Sequence, residues 1–280
     1  MPIQRSGFGG RTASSLNSTS GGKQGVSDRG KGADSVVRAI AGTDMAAWLD
    51  ADDITVADAA NVTTWPAKEG DSPSQNSGTP RPPTFDAAAV NGRPAVKFDG
   101  SNDCLQYAAG GLTSNQMANT IASTNSCTAA TAIILELGAT YHDGVDGIVL
   151  GYSTGNSWAG LGNGSDSYET STVTCAGAGI GNNVLVAAYD RSPTTDTIKN
   201  YISGAPVTPN LEKFVNSTDP TDWEGQVTNI GSRHNGTAHQ LAGNIRELIV
   251  INRFIDAGEA FRLSKALMAK SGVTRLLDGY

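Results

Sequence analysis

The stretch NIRELIVINR, residues 244–253, sets the reading of the chain. Ile245, Glu247, Ile249 and Ile251 alternate with Arg246, Leu248 and Val250, a period of two that belongs to a β-strand. Arg246 and Glu247 are expected as a surface or edge pair, which is where charged neighbours on a strand usually stand. Just downstream, 256–271 is the single predicted helix. Asp256 can cap it, Glu259 completes a capping box and Gly272 stops it. Phe261, Ser264, Leu267 and Met268 share the face expected to pack on the sheets.

Upstream the same short apolar runs recur. ATAIILELG (130–138) is apolar on both faces between Ile133 and Leu137, as a central strand requires. GIVLGY, STVTCAG, NVLVAAYD, TIKNYISG and QVTNIGS come after it at near-regular spacing, and NGRPAVKFDGSNDCLQY (91–107) reads as turn, strand, turn, strand. Gly92, Gly100 and Gly204 stand where tight hairpins need positive φ. Many short strands with little helical period mean an all-β sandwich or barrel. The 34 glycines supply the turns, and a charged fraction of 17% excludes a long charged coiled coil.

Residues 1–42 differ in character from the remainder of the chain. Arg5, Arg11, Lys23, Arg29, Lys31 and Arg38 face only Asp28 and Asp34, whereas the whole chain is −7. This Gly/Ser-rich segment has isolated Ile3, Phe8 and Leu16 and no amphipathic period, so it is expected as an extended arm ahead of a body at 43–280. Arg5, Phe8, Arg11, Lys23, Arg29 and Lys31 are the residues expected to dock it on an acidic partner or a neighbouring subunit. The acidic body disfavours direct nucleic-acid binding, and no apolar run is long enough to span a membrane. The first 25 residues hold no apolar signal-peptide core, and Cys104, Cys127 and Cys175 form no metal-binding spacing, so folding in a reducing compartment is expected.

The ordered set WLDADD (48–53), Trp65 in VTTWP, NGRPAVKFDGSND (91–103), NYISGAPV (200–207), NIGS (229–232) and LAGNIRELIVINRFIDAGE (241–259) resembles concanavalin A-like, or laminin G-like, jelly-roll domains of phage virion and bacterial surface proteins. The resemblance covers about residues 43–275. It implies a two-sheet antiparallel jelly-roll sandwich with one short C-terminal helix behind the extended arm. Trp48 and Trp65 are then core anchors.

Chemistry-bearing motifs are sparse. Hydrolases on such a sheet carry two carboxylates at strand spacing, and Glu136 and Glu169 each lack a second one. Asp143 and Asp146 lie in a turn sequence. His142, His234 and His239 match neither a nucleophile triad nor zinc spacing, and GAGIG at 177–181 lacks the helix and Lys of a phosphate loop. No catalytic residue is therefore assigned. A calcium ion, which such relatives often hold, would use Asp99, Asn102 and Asp103, with Asp50, Asp52 and Asp53 or Asp143 and Asp146 as alternatives to ordinary Asx turns. Sugar contact would use Trp158 with Asn156, Asn163, Asp166 and Tyr168, and secondarily Trp223.

Two functions compete on this reading. The first, implied by the resemblance and the arm, is a non-enzymatic capsid decoration (cement) protein. It would assemble in a host cytoplasm onto a virion and contact the major capsid protein or like subunits in a homo-oligomer. The alternative is a tail-fibre or spike adhesin, or a secreted carbohydrate-binding module recognising a cell-surface glycan.

Overall fold

The computed structural model describes residues 26–75, 81–112, 118–129, 131–138, 147–153, 156–162, 168–174, 181–190, 197–206, 211–213, 227–233 and 236–274. In chain order the elements are α1 (Val26–Ala41), β1 (Met45–Asp50), β2 (Ala67–Glu69), β3 (Thr84–Val90), β4 (Arg93–Asp99) and β5 (Leu105–Tyr107). Next come β6 (Ala118–Cys127), β7 (Ala132–Leu137), β8 (Gly147–Ser153), β9 (Asn156–Gly162), β10 (Tyr168–Thr174) and β11 (Asn183–Asp190). The chain continues with β12 (Thr197–Ile202), β13 (Ala205–Pro206), β14 (Leu211–Lys213), β15 (Thr228–Ile230), β16 (Ala242–Ile251) and α2 (Ala257–Ser271).

These strands make two antiparallel sheets. The larger runs β13-β12-β11-β6-β16-β1-β2, with β4 on β16 and β3 on β4; the smaller runs β14-β10-β9-β8-β7-β15-β5. The fold is the expected all-β sandwich with a C-terminal helix. Leu49, Phe98, Ile121, Leu135, Leu150, Leu185, Leu248 and Val250 fill the space between the sheets, with Trp65 among them. A second apolar layer lies on the far side of the larger sheet. There Val37 and Ile40 of α1 and Leu263 and Leu267 of α2 cover Trp48, Ile249 and Ile251. Both Trp48 and Trp65 are buried, as expected of anchors.

Strand β16 shows how its sequence produces two layers. Its whole length pairs with β6, while its first half pairs with β4 and its second half with β1. A register shift between Ile245 and Glu247 inserts Arg246 as an extra residue. Ile245 therefore joins Leu248 and Val250 in the sandwich core, while Ile249 and Ile251 face the helices. Arg246 and Glu247 are both fully buried, so the expectation of a surface or edge pair fails. The strand is central, so its charged residues have no edge to occupy.

Helix α2 obeys its sequence signals: the Asp256 side chain accepts from Glu259 N–H, Glu259 returns the bond, and Gly272 closes the helix at φ 68°. Its buried face is Ala260, Leu263, Ser264, Leu267, Lys270 and Ser271, and Phe261 is 41% exposed rather than packed inward. Gly92, Gly100 and Gly204 do take positive φ.

The expected extended arm is corrected over its last part. Residues 26–41 are helix α1, packed against α2 and the body. Gly30 and Gly32 depress the intrinsic helix propensity of this stretch, so only tertiary burial of Ala33, Val37 and Ile40 makes it a helix. Arg29 and Lys31 belong to α1, and Arg5, Phe8, Arg11 and Lys23 lie outside the described residues.

Candidate functional site

The first polar constellation lies in the seam between the helix pair and the larger sheet. Lys270 Nζ of α2 donates to Asp34 Oδ1 of α1 at 2.8 Å, to Glu247 Oε1 of β16 at 2.9 Å, and to Asp50 Oδ2 of β1. Lys68 of β2 reaches Asp50 Oδ2 at 2.7 Å and Asp34 Oδ2 at 3.0 Å. Trp48 Nε1 donates to Glu247 Oε1 at 2.7 Å, and both ammonium groups lie about 5 Å from the centre of the Trp48 ring. Burial pushes Glu247 up to about 7, against the pull of Lys270. Burial also works against the charges of Asp50 and Lys270, but Lys270 and Lys68 together hold Asp50 below its ordinary value, and Glu247, Asp50 and Asp34 hold Lys270 well above its own. Asp34, Asp50 and Glu247 converge closely enough to hold a metal, yet the cation among them is the Lys270 ammonium.

Close by, Arg246 forms a two-point contact with Asp52, Nη2 to Oδ2 at 2.6 Å and Nη1 to Oδ1 at 3.3 Å, and its Nη1 also donates to Pro94 O. The three aspartates at 50, 52 and 53 thus face cations of their own chain, with Asp53 3.7 Å from Lys68. The Asp99–Asp103 loop is equally self-contained. Asp99 Oδ1 accepts from Ser101 N–H at 2.7 Å and from Asn102 N–H, and Asp103 Oδ2 accepts from Asp99 N–H at 2.8 Å. That is the Asx-turn alternative to a calcium site at Asp99, Asn102 and Asp103. Burial pushes Asp103 up to about 6.

The second constellation spans the smaller sheet on the side turned away from the core. Leu135 and Leu137 of β7, Ile230 of β15, Leu105 and Tyr107 of β5, Ile148 and Leu150 of β8, and Ala159 of β9 all belong to the sandwich core. Strand alternation therefore places Glu136, Asn229, Gln106, Val149 and Gly160 on the opposite face. Register joins them into one row across all seven strands: Gln106, Asn229, Glu136, Val149, Gly160, Thr170 and Lys213. At one end the row is a buried hydrogen-bonded chain. Gln106 Nε2 donates to Asn229 Oδ1 at 2.6 Å, Asn229 Nδ2 to Glu136 Oε2 at 3.0 Å, and Arg233 Nε to Glu136 Oε1 at 2.9 Å. At the other end β8 and β9 carry glycine at positions 147, 151, 160 and 162 of this face. The Trp158 position, opposite Gly151 and Thr172, and the Tyr168 position, opposite Gly162, flank those glycines, with Asn156 on the same strand face as Trp158.

No known family's sequence profile matches the chain, and no curated protein matches it. Solved structures do. The binding domain of botulinum neurotoxin serotype D superposes with a TM-score of 0.52 at 11% identity, covering 80% of this chain and 51% of that one. A mutant GH54 α-L-arabinofuranosidase gives 0.50 at 12% identity, covering 75% and 51%. The CBM40 of a Ruminococcus gnavus IT-sialidase gives 0.46 at 17% identity, covering 61% of this chain and 96% of its own. The likeness is one of fold. This chain spans about half the length of the toxin domain and of the arabinofuranosidase.

Of the residues singled out for sugar contact, Asn156, Trp158 and Tyr168 fall on neighbouring strands β9 and β10, not in the polar loops the sequence suggested. Asn163, Asp166 and Trp223 lie outside the described residues, as do Asp143, Asp146, His142, His234 and Cys175. Cys104 and Cys127 are buried, and burial pushes the Cys104 thiol up to about 11. The Glu136 row and the Lys270 network escaped sequence reasoning. Within the Lys270 network alone, bonded side chains are 18 to 236 residues apart, and only register or helix docking joins them. One signal was available: charged residues inside otherwise apolar strands, Glu136 in IILEL and Glu247 in IRELIVI, imply buried partners.

Proposed function

We propose that the protein is a non-catalytic binding module that takes a glycan on the outward face of its smaller sheet. The observation carrying this reading is the contrast between the two outer faces. Helices α1 and α2 cover the larger sheet, whereas the outer face of the smaller sheet carries glycines beside the Trp158 and Tyr168 positions, at the far end of a register row whose Gln106, Asn229 and Glu136 are buried. An aromatic position beside side-chain-free strands is what the apolar face of a pyranose ring needs for stacking. Glycosidic cleavage asks for two carboxylates across the bond. Among the described residues, Glu136 is the one carboxylate at an outward position of these seven strands, and both its oxygens already accept hydrogen bonds. The shared fold with a toxin binding domain agrees with a binding role and adds no substrate.

Capsid decoration, with a virion location, the major capsid protein as partner and an arm as tether, rests on the sequence resemblance alone. A glycan array probed with the full chain and with Trp158→Ala tests the proposal. Binding to a defined set of glycans, weakened at least tenfold in the variant (about 1.4 kcal/mol), supports it. An array with no binding above background, or binding that Trp158→Ala leaves unchanged, overturns it.

A further inference from the structure

The seam between α2 and the larger sheet brings a nucleophile against an electrophile in a dry site. Lys270 is 5% exposed, and Asp50, Glu247 and Trp48 are fully buried. Lys270 Nζ touches a carboxylate oxygen of Asp50 and one of Glu247. Asp50 and Glu247 are directly paired residues on β1 and β16, so the two carboxylates stand side by side beneath the amine. We propose that Lys270 and Asp50 condense to an intramolecular amide, a covalent staple between α2 and β1, with Glu247 as the proton relay.

The balance is that of a dehydration. The Lys270 ammonium gives a proton to Glu247, and the freed amine attacks Asp50 Cγ. Glu247 passes that proton to the departing Asp50 oxygen. A second proton passes from the nitrogen to the same oxygen as the C–N bond settles into an amide, and one water is released. No oxidant, reductant or cofactor enters. Three features of the site serve this step. Contact geometry replaces a bimolecular encounter, the largest single advantage an intramolecular reaction has. Burial keeps out the water that would hydrolyse the product. Glu247, raised towards neutral pH by burial and fixed by the Trp48 Nε1–H, can both take and give a proton around pH 7.

Two competing pairs exist in the same cluster. Asp34 also accepts from Lys270, but its side chain is 28% exposed and it lies on α1, away from the Asp50–Glu247 strand pair. Lys68 also reaches Asp50, with 18% side-chain exposure, and no contact joins it to Glu247 among the bonds of the cluster. The staple would tie residues 220 apart and so remove chain entropy from the unfolded state, as a disulfide closing the same loop would.

Peptide mapping of the full-length folded protein, denatured and digested with trypsin, tests the proposal. The expected product joins peptide 39–68 to peptide 266–275, with Lys270 uncut and the pair lighter than its sum by one water. Separate peptides, with Lys270 cleavable and open to amine labelling after denaturation, overturn it. So does a link from peptide 266–275 to 32–38, which would mean Asp34, or an internally linked peptide that begins at 39 and runs on past an uncut Lys68, which would mean Lys68. The Glu247→Gln variant, shown folded by its thermal melt, is expected to lose the linked product. A variant that keeps it removes the relay role.

Discussion

Replacing Ile40 by alanine tests whether α1 is part of the body or an arm that leaves it. Ile40 is 5% exposed and packs in the helix layer with Trp48, Leu263 and Leu267. The change deletes three carbon atoms from a close-packed site. At about 0.8 kcal/mol per buried methylene the transfer loss is about 2.4 kcal/mol. The cavity left under α1 adds to this, so a total of about 3 kcal/mol is expected, inside the range of roughly 2–5 kcal/mol for such truncations. For a domain of this size that corresponds to a fall in Tm of roughly 6–12 °C. Thermal unfolding monitored by circular dichroism reads it directly. Ala39→Ser, one residue away on the exposed side of the helix, serves as control and should move stability by less than about 0.5 kcal/mol. If Ile40→Ala melts with the wild type, α1 is not docked and the two-layer packing of the larger sheet is wrong.

Other outcomes rest on single contacts. Gly243→Ala would put a Cβ 2.0 Å from Ser126 O and 3.0 Å from Cys127 Cα, backbone atoms of the neighbouring central strand, so a loss of about 3 kcal/mol is expected in guanidinium unfolding; an unchanged midpoint would contradict the β6–β16 register. Burial raises Asp103 to about 6 from an ordinary 3.8, so the folded state binds this proton more tightly than the unfolded chain. Its contribution is therefore complete below about pH 4 and is lost as pH rises through 6. Asp103→Asn should flatten that part of the Tm-versus-pH curve, and an identical slope in both proteins would refute it. Asp256→Ala removes the side-chain half of the α2 capping box and should cost about 1 kcal/mol in the same melts, against no change if α2 contributes nothing.

Much of the architecture is readable from the chain, because period-two alternation and glycine turns are local signals. The strands around 93–99, 132–137 and 242–251 and the capped helix after Asp256 come straight from residue order. What escapes is whatever depends on the third dimension. Helix α1 has glycines at positions 30 and 32 and gains its order only where Val37 and Ile40 meet α2 and Trp48. One extra residue at Arg246 flips the faces of β16, and no alternation count reveals a bulge. Glu247 reads as solvent-facing until Lys270 arrives from α2. The candidate binding face is half legible. Trp158, Asn156 and Tyr168 stand out by residue type, but their joining to Glu136, Asn229 and Gln106 is a matter of strand register, which sequence does not state.

The proposed function stands or falls on ligand being taken on the outward face of the smaller sheet. Backbone amide shift mapping by NMR, titrating the labelled full chain with the strongest glycan from the array, probes that face residue by residue. Perturbations are expected to concentrate in β8, β9 and β10, with α1 and α2 silent. Perturbations centred on the helix pair, or none at saturating glycan, would contradict it.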